Sequence, residues 1–194
     1  MPRPNWFFAF PIDGAFVLEL PALPSNFRRF EPEDVHLTLA FLGGCGESAA
    51  QRALAGLDQR LVDEPLAPMT VTLAEVVPMG GSRRTYSALS ALLGQGRAEV
   101  SACIAALRDL LTQTASGRTE KRPPKPHVSL ARPRGRASEL DREAGLSWAE
   151  ALQLQGVQAR LDRIALYTWS ERRRERLFQV VAERPLVERR PSDR

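Results

Sequence analysis

One five-residue pattern occurs twice in this chain, and it limits the possible fold more than any other feature. His36-Leu37-Thr38-Leu39-Ala40 and His127-Val128-Ser129-Leu130-Ala131 share the order histidine, aliphatic, hydroxyl, leucine, alanine. The copies stand 91 residues apart, near half of the 194-residue length. A repeat at that spacing implies two similar lobes, each presenting one copy. In extended chain, residues i and i+2 point to one face and their neighbours to the other. Each copy therefore sets an imidazole and a hydroxyl side by side, anchored from behind by buried aliphatic residues. If the lobes face each other, two imidazoles and two hydroxyls line the cleft between them.

The chain has only two histidines, and both carry a hydroxyl at +2 although Ser and Thr account for just 20 of 194 residues. By composition that coincidence is roughly one in a hundred, so two unrelated structural histidines explain it poorly. Opening a cyclic phosphodiester needs a base for the attacking water, an acid for the departing sugar oxygen and donors for the charged phosphoryl oxygens. Imidazole serves as acid or base near neutrality. Hydroxyls donate to the phosphoryl oxygens, and donors aimed at developing charge carry much of the catalysis. The nearly symmetric copies leave open which ring is acid and which base.

The surrounding pattern gives a fold class. Residues 6–10 read as a buried aromatic strand and 35–42 as an alternating strand closed by Gly43-Gly44. Ala50, Leu54, Leu57 and Leu61 recur at helical spacing, predicting a helix over about 48–62 with Ser48 as cap. Residues 70–77 and 86–93 are β-like around a Pro-Met-Gly-Gly turn. Val100, Ile104, Leu107 and Leu111 mark a second amphipathic helix. Residues 114–126, with Gly117 and three prolines, read as a loop before the strand 127–131. Two more β-like runs, 157–169 and 177–182, flank the charged turn 170–176. This order predicts an α+β class: a bilobal molecule of two mostly antiparallel sheets around a central cleft, with pseudo-two-fold related lobes and helices on the outer faces. No flexible linker divides the chain, so residues 1–188 are expected to form a single domain and 189–194 a mobile tail.

Composition narrows the partners. The formal charge of +4 suits a polyanion without proving one. The most apolar N-terminal stretch is broken by Pro11, Asp13 and Gly14, so no membrane span or signal peptide is expected, and the location is expected to be cytoplasmic. Cys45 and Cys103 lack metal-ligand spacing and read as reduced thiols. No glycine-rich phosphate loop, nucleophile elbow or carboxylate cluster stands out, so neither a metal nor another cofactor is expected.

These residues resemble the two-histidine (2H) phosphoesterase superfamily, marked by two His-x-Thr/Ser-x tetrapeptides in the halves of a bilobal domain. The closer likeness is to the RNA 2′,3′-cyclic phosphodiesterases, historically called 2′-5′ RNA ligases. It runs from Trp6-Phe7-Phe8-Ala9-Phe10 through Val35 to Gly43 and Pro126 to Arg132, and ends in Ile164-Ala165-Leu166-Tyr167. The resemblance implies hydrolysis of an RNA 2′,3′-cyclic phosphate end to a 2′-phosphate without a metal, with His36 as general acid and His127 as general base. It also implies phosphate binding by Thr38, Ser129 and Arg132. Two departures are visible: Ser129 stands where threonine is commoner, and residues 13–31 are broken by prolines where a helix is usual.

The remaining candidates are peripheral. Phe41 could stack on a base, although regular alternation puts it on the strand face opposite Thr38. Arg118, Lys121, Arg122 and Lys125 could form a mobile basic arm that guides RNA, or a solvated loop. Arg172-Arg173-Arg174 read chiefly as a solvated turn, and Trp6, Trp148 and Trp169 chiefly as packing residues. The expected partner is RNA with a 2′,3′-cyclic phosphate end, and no obligate protein partner is evident, so a monomer is expected. The alternatives are 2′-5′ ligation or hydrolysis of a small cyclic nucleotide in the same cleft, and a non-catalytic RNA-binding domain.

Overall fold

A strand that is apolar at every position can be central only if both its faces are covered, and the N-terminal aromatic run meets that condition. In the computed structural model, which describes residues 3–117 and 119–187, β1 (Trp6–Pro11) is buried throughout. Trp6, Phe8 and Phe10 join the main core, while Phe7 and Ala9 face the other way and pack with Ala165 and Tyr167 in a smaller cluster. Arg118 and residues 188–194, including the expected tail, lie outside the described residues.

The other strands are β2 (Phe27–Arg29), β3 (His36–Gly43), β4 (Met69–Met79), β5 (Ala88–Leu93), β6 (His127–Pro133), β7 (Gln158–Leu161), β8 (Arg163–Trp169) and β9 (Phe178–Pro185). The helices are α1 (Glu47–Asp63), α2 (Arg97–Ser116) and α3 (Glu139–Glu150). The strand order is β7-β4-β5-β6-β3-β1-β8-β9, with β2 beside β6, and every pairing is antiparallel. The α+β class and antiparallel pairing follow the sequence pattern. The two expected sheets are halves of one, joined only where Leu37 of β3 pairs with Val128 of β6. Beyond that pair β3 and β6 part, and β2 takes over the vacated edge of β6 from Ala131 to Pro133. Helices α1 and α2 pack together and against β1 and β3, and α3 packs against β4, β5 and β6. No helix among the described residues is long and apolar enough to cross a membrane.

Several elements differ from the sequence pattern for identifiable reasons. The α2 helix runs to Ser116 and stops at Gly117, whose φ of 67° is a left-handed cap that glycine adopts without strain. Strand β4 continues through Pro78 and Met79, so the connection to β5 is longer than a Pro-Met-Gly-Gly turn. Residues 157–169 are two strands: β7 pairs with β4 in one half, and β8 with β1 and β9 in the other. The unforeseen β2 is only three residues long. The unforeseen α3 has a narrow buried face of Gly145, Leu146, Trp148 and Ala149, too sparse to show periodicity. Its one local signal is a capping box, in which Ser138 and Asp141 satisfy each other's backbone N–H groups. A Cβ on Gly145 would meet the Phe27 ring and, at 2.6 Å, the Tyr86 hydroxyl, so glycine permits this close packing.

Candidate active site

The single Leu37–Val128 pair sets the geometry of the site. Antiparallel register across it puts His36 opposite Ser129 and Thr38 opposite His127. Leu37 and Val128 are fully buried on the core side, so all four polar residues stand on the other, concave face. The expected juxtaposition of both motifs is therefore met in placement, with imidazole and hydroxyl at alternate corners.

Both rings are held by the same device. His36 Nδ1 lies 2.6 Å from the Asp34 carbonyl and His127 Nδ1 lies 2.7 Å from the Lys125 carbonyl, in each case the residue two before the histidine. A carbonyl only accepts, so each Nδ1 carries its proton, and Nε2 is the atom left to exchange protons in the cleft. The surroundings of the two rings differ. His36 is 9% exposed and sits among Phe7, Tyr167 and Phe178, at ring distances of 4.9, 5.5 and 5.4 Å. Burial among these rings lowers its pKa to about 4, opposed by the bond to the Asp34 carbonyl and assisted slightly by the neighbouring His127. His36 is thus neutral at neutral pH. His127 is only partly buried.

The hydroxyls are unequally supported. Ser129 Oγ lies 3.1 Å from Ser90 Oγ, and Ser90 is fully buried on β5. Across the pseudo-two-fold, the residue paired with Thr38 is Ala9, which offers no such partner.

A repeated irregularity brings in the next residues. In β3 the register passes from Ala9↔Thr38 to Phe8↔Ala40, leaving Leu39 as an extra residue; in β6 it passes from Ser90↔Ser129 to Leu89↔Ala131, leaving Leu130 extra. Each bulge resets the alternation by one. Phe41 and Arg132, which regular strands would turn away from the motif, consequently share the face of Thr38 and Ser129. Both line a cavity of about 290 Å³ together with His36, Thr38, Trp169 and Arg173. The Leu-Ala shared by the two copies is the sequence trace of these bulges.

The 170–176 turn also reaches the site. The buried Asp34 carboxylate accepts the backbone N–H groups of Leu177 and Phe178 at 2.6 and 3.0 Å, tying the start of β9 beside His36. Arg28, on β2, donates to the Arg173 and Arg174 carbonyls at 2.7 and 3.3 Å, so the turn spans the two halves. The Arg173 guanidinium stacks 4.1 Å above Trp169. Burial first, then the nearby Arg28 and Arg173, hold Arg132 below the usual guanidinium range.

The basic loop before His127 is arranged differently from the expected guiding arm. Arg122 is exposed but bonded to Glu120 at 2.8 Å, an interaction that pulls Glu120 down to about 2. Lys121 is exposed, and the atom of Lys125 that touches the site is its carbonyl. Trp6 and Trp148 are core residues, and only Trp169 lines the cavity. Arg28, Ser90 and the Asp34 carboxylate were not apparent from the sequence, because each acts through a partner distant in the chain. No group of three potential metal-binding side chains occurs among the described residues.

The model for the 2′-5′ RNA ligase superfamily matches residues 23–173, and the chain belongs to that family. No similar sequence was found among curated proteins. Similar solved structures include one described as a phosphoesterase, with 21% identity over 95% of this chain and 99% of that one and a TM-score of 0.68. E. coli LigT complexed with 3′-AMP matches with 18% identity over 97% and 100% of the two chains and a TM-score of 0.68. A Thermus thermophilus protein, TT0787, matches with 20% identity over 94% and 97%, at a TM-score of 0.58. At these identities the likeness is one of fold. Family membership supports cyclic phosphodiesterase or ligase-type chemistry.

Proposed function

We propose that this protein hydrolyses RNA 2′,3′-cyclic phosphate ends to 2′-phosphates, with His36 and His127 as an acid–base pair. The observation that carries the reading is the matched tethering of both rings through Nδ1, which leaves two Nε2 atoms and two hydroxyls on one face. In the proposed reaction His127 Nε2 takes a proton from water as its oxygen attacks phosphorus. The bond from phosphorus to O3′ breaks, and His36 Nε2–H delivers a proton to O3′, leaving a 3′-hydroxyl and a 2′-phosphate. Thr38 and Ser129 donate to the non-bridging oxygens, and Arg132 offsets their charge. Phe41, 59% exposed on the cleft face, offers a stacking surface for the terminal base. Because burial keeps His36 neutral at neutral pH, the acid role requires it to take up a proton along with the anionic substrate.

Product analysis on RNA ending in a 2′,3′-cyclic phosphate tests the reaction: a 2′-phosphate is expected, and a 3′-phosphate or an untouched end overturns it. Replacing the departing 3′ oxygen by sulfur tests the roles, since a thiolate leaves without protonation. Activity lost in His36→Ala should return on that substrate and activity lost in His127→Ala should not; the opposite pattern exchanges acid and base.

A further inference from the structure

Beyond Arg132 the cleft opens into a larger recess of about 930 Å³, lined by Arg28, Arg29, Arg132, Arg134, Arg142 and Arg174, with Glu31 the one carboxylate on its wall. Five more cations than anions here account for the chain's entire formal excess of +4, so the rest of the molecule is close to neutral. Four of the six arginines are tethered to backbone carbonyls, which fixes them without neutralising them. Arg28 donates to the carbonyls of Arg173 and Arg174, Arg29 to those of Val17, Leu20 and Pro21, Arg134 to Phe27, and Arg142 to Tyr86. Among the described residues, none of the six forms an ion pair with a carboxylate. Holding guanidinium groups together on neutral acceptors leaves a concentrated positive field that an incoming polyanion relieves.

We propose that this recess is a track for the phosphates of the RNA strand on the 5′ side of the reacting end. The inference rests on the proposed function, since the reacting cyclic phosphate closes a 3′ terminus and every other nucleotide then lies 5′ of it. Arg132 borders both cavities, so the recess adjoins the one that His36 and Thr38 line. From Ser129 on β6 to Arg134 just past its end is five residues, at most about 16 Å at about 3.3 Å per residue. That length accommodates several nucleotides at roughly 3.4 Å per step of a stacked strand. The aromatic floor is closed to stacking, with Phe27 5% and Tyr86 1% exposed, so the contacts are to phosphate and tolerate any sequence. The loop before His127 is the weaker exit, because Glu120 already occupies Arg122.

The test is fluorescence anisotropy with a 5′-labelled RNA decamer bearing an ordinary 3′-hydroxyl, titrated between roughly 50 and 200 mM salt. Arg134→Gln with Arg174→Gln should weaken binding at least about tenfold and flatten the salt slope by about two. Gly135→Glu provides an independent variant: a Cβ there meets nothing within 4 Å, so it adds an anion to the recess wall without removing any arginine bond. It should weaken binding in the same direction, while Lys121→Gln with Lys125→Gln should bind as the parent does. Parent-like affinity in both recess variants, an equal loss in the lysine variant, or equally effective displacement of RNA by polyglutamate of matched charge overturns the proposal. The assay involves no turnover, so failure to hydrolyse cyclic ends would count against the proposed function alone.

Discussion

The aromatic enclosure of His36 has a thermodynamic signature. In the unfolded chain its imidazole takes up a proton near pH 6.5, whereas in the folded protein burial delays this to about 4. Between those values the unfolded state binds more protons than the folded one, so stability falls as pH drops through this window and this group adds no further change below it. The difference of about 2.5 pH units at 1.36 kcal/mol each corresponds to about 3 kcal/mol. His36→Asn is the control, because its amide still offers an N–H to the Asp34 carbonyl and does not titrate. Denaturant unfolding of both proteins at about pH 7.5 and pH 4 cancels the carboxylates they share. The stability of the parent relative to the variant should decline by about 3 kcal/mol at the lower pH. With only two histidines in the chain, the nitrogen-detected imidazole spectrum follows each ring directly. A His36 resonance titrating near 6.5, or a stability difference independent of pH, would refute the account of its environment.

Four further outcomes are expected. His36→Ala and His127→Ala should each lower turnover on a cyclic-phosphate RNA end by at least about a hundredfold, with RNA affinity in anisotropy close to the parent's; full turnover in either defeats the acid–base pair. Activity should persist in excess EDTA, because two imidazoles supply both proton transfers, and a loss restored by added divalent metal would contradict the proposed mechanism. Asp34→Ala strips Leu177 and Phe178 of their acceptor and should cost about 1–3 kcal/mol, with faster hydrogen exchange at both amides; unchanged exchange would show that the carboxylate does not hold the turn. Gly145→Ala should destabilise by about 1–3 kcal/mol through overpacking against Phe27 and Tyr86, and a melting temperature equal to the parent's would contradict the close packing of α3.

The legible parts of this protein are those governed by short-range periodicity. The repeated pentapeptide placed His36 beside Thr38 and His127 beside Ser129 because parity within a strand is a local rule, and the aromatic run, α1 and the body of α2 follow from equally local spacing; only the Leu37–Val128 pair brings the two copies together. The positions of Phe41 and Arg132 broke that rule, since a bulge is defined by how many residues stand on the partner strand. Residues 157–169 read as one run because nothing local marks that β7 and β8 pair in different halves. Arg28, Ser90 and the Asp34 carboxylate contribute through bonds to residues 39 to 146 positions away, a range at which sequence spacing carries no signal. The arginines of the recess are far apart in the chain, and β2, β6, α3 and the 170–176 turn gather them only in three dimensions.

The extra leucine in each motif separates two kinds of change. Histidine and hydroxyl come before it, so their orientation is decided without reference to it, while the side chain two places after it faces the cavity only because it is there. Deleting Leu39 or Leu130 would swing Phe41 or Arg132 into the interior and leave the imidazoles and hydroxyls aimed as before. The chain thus carries an aromatic ring at this outlet in one half and a cation in the other, on a shared frame, so the residue there can vary without re-aiming the histidines and hydroxyls.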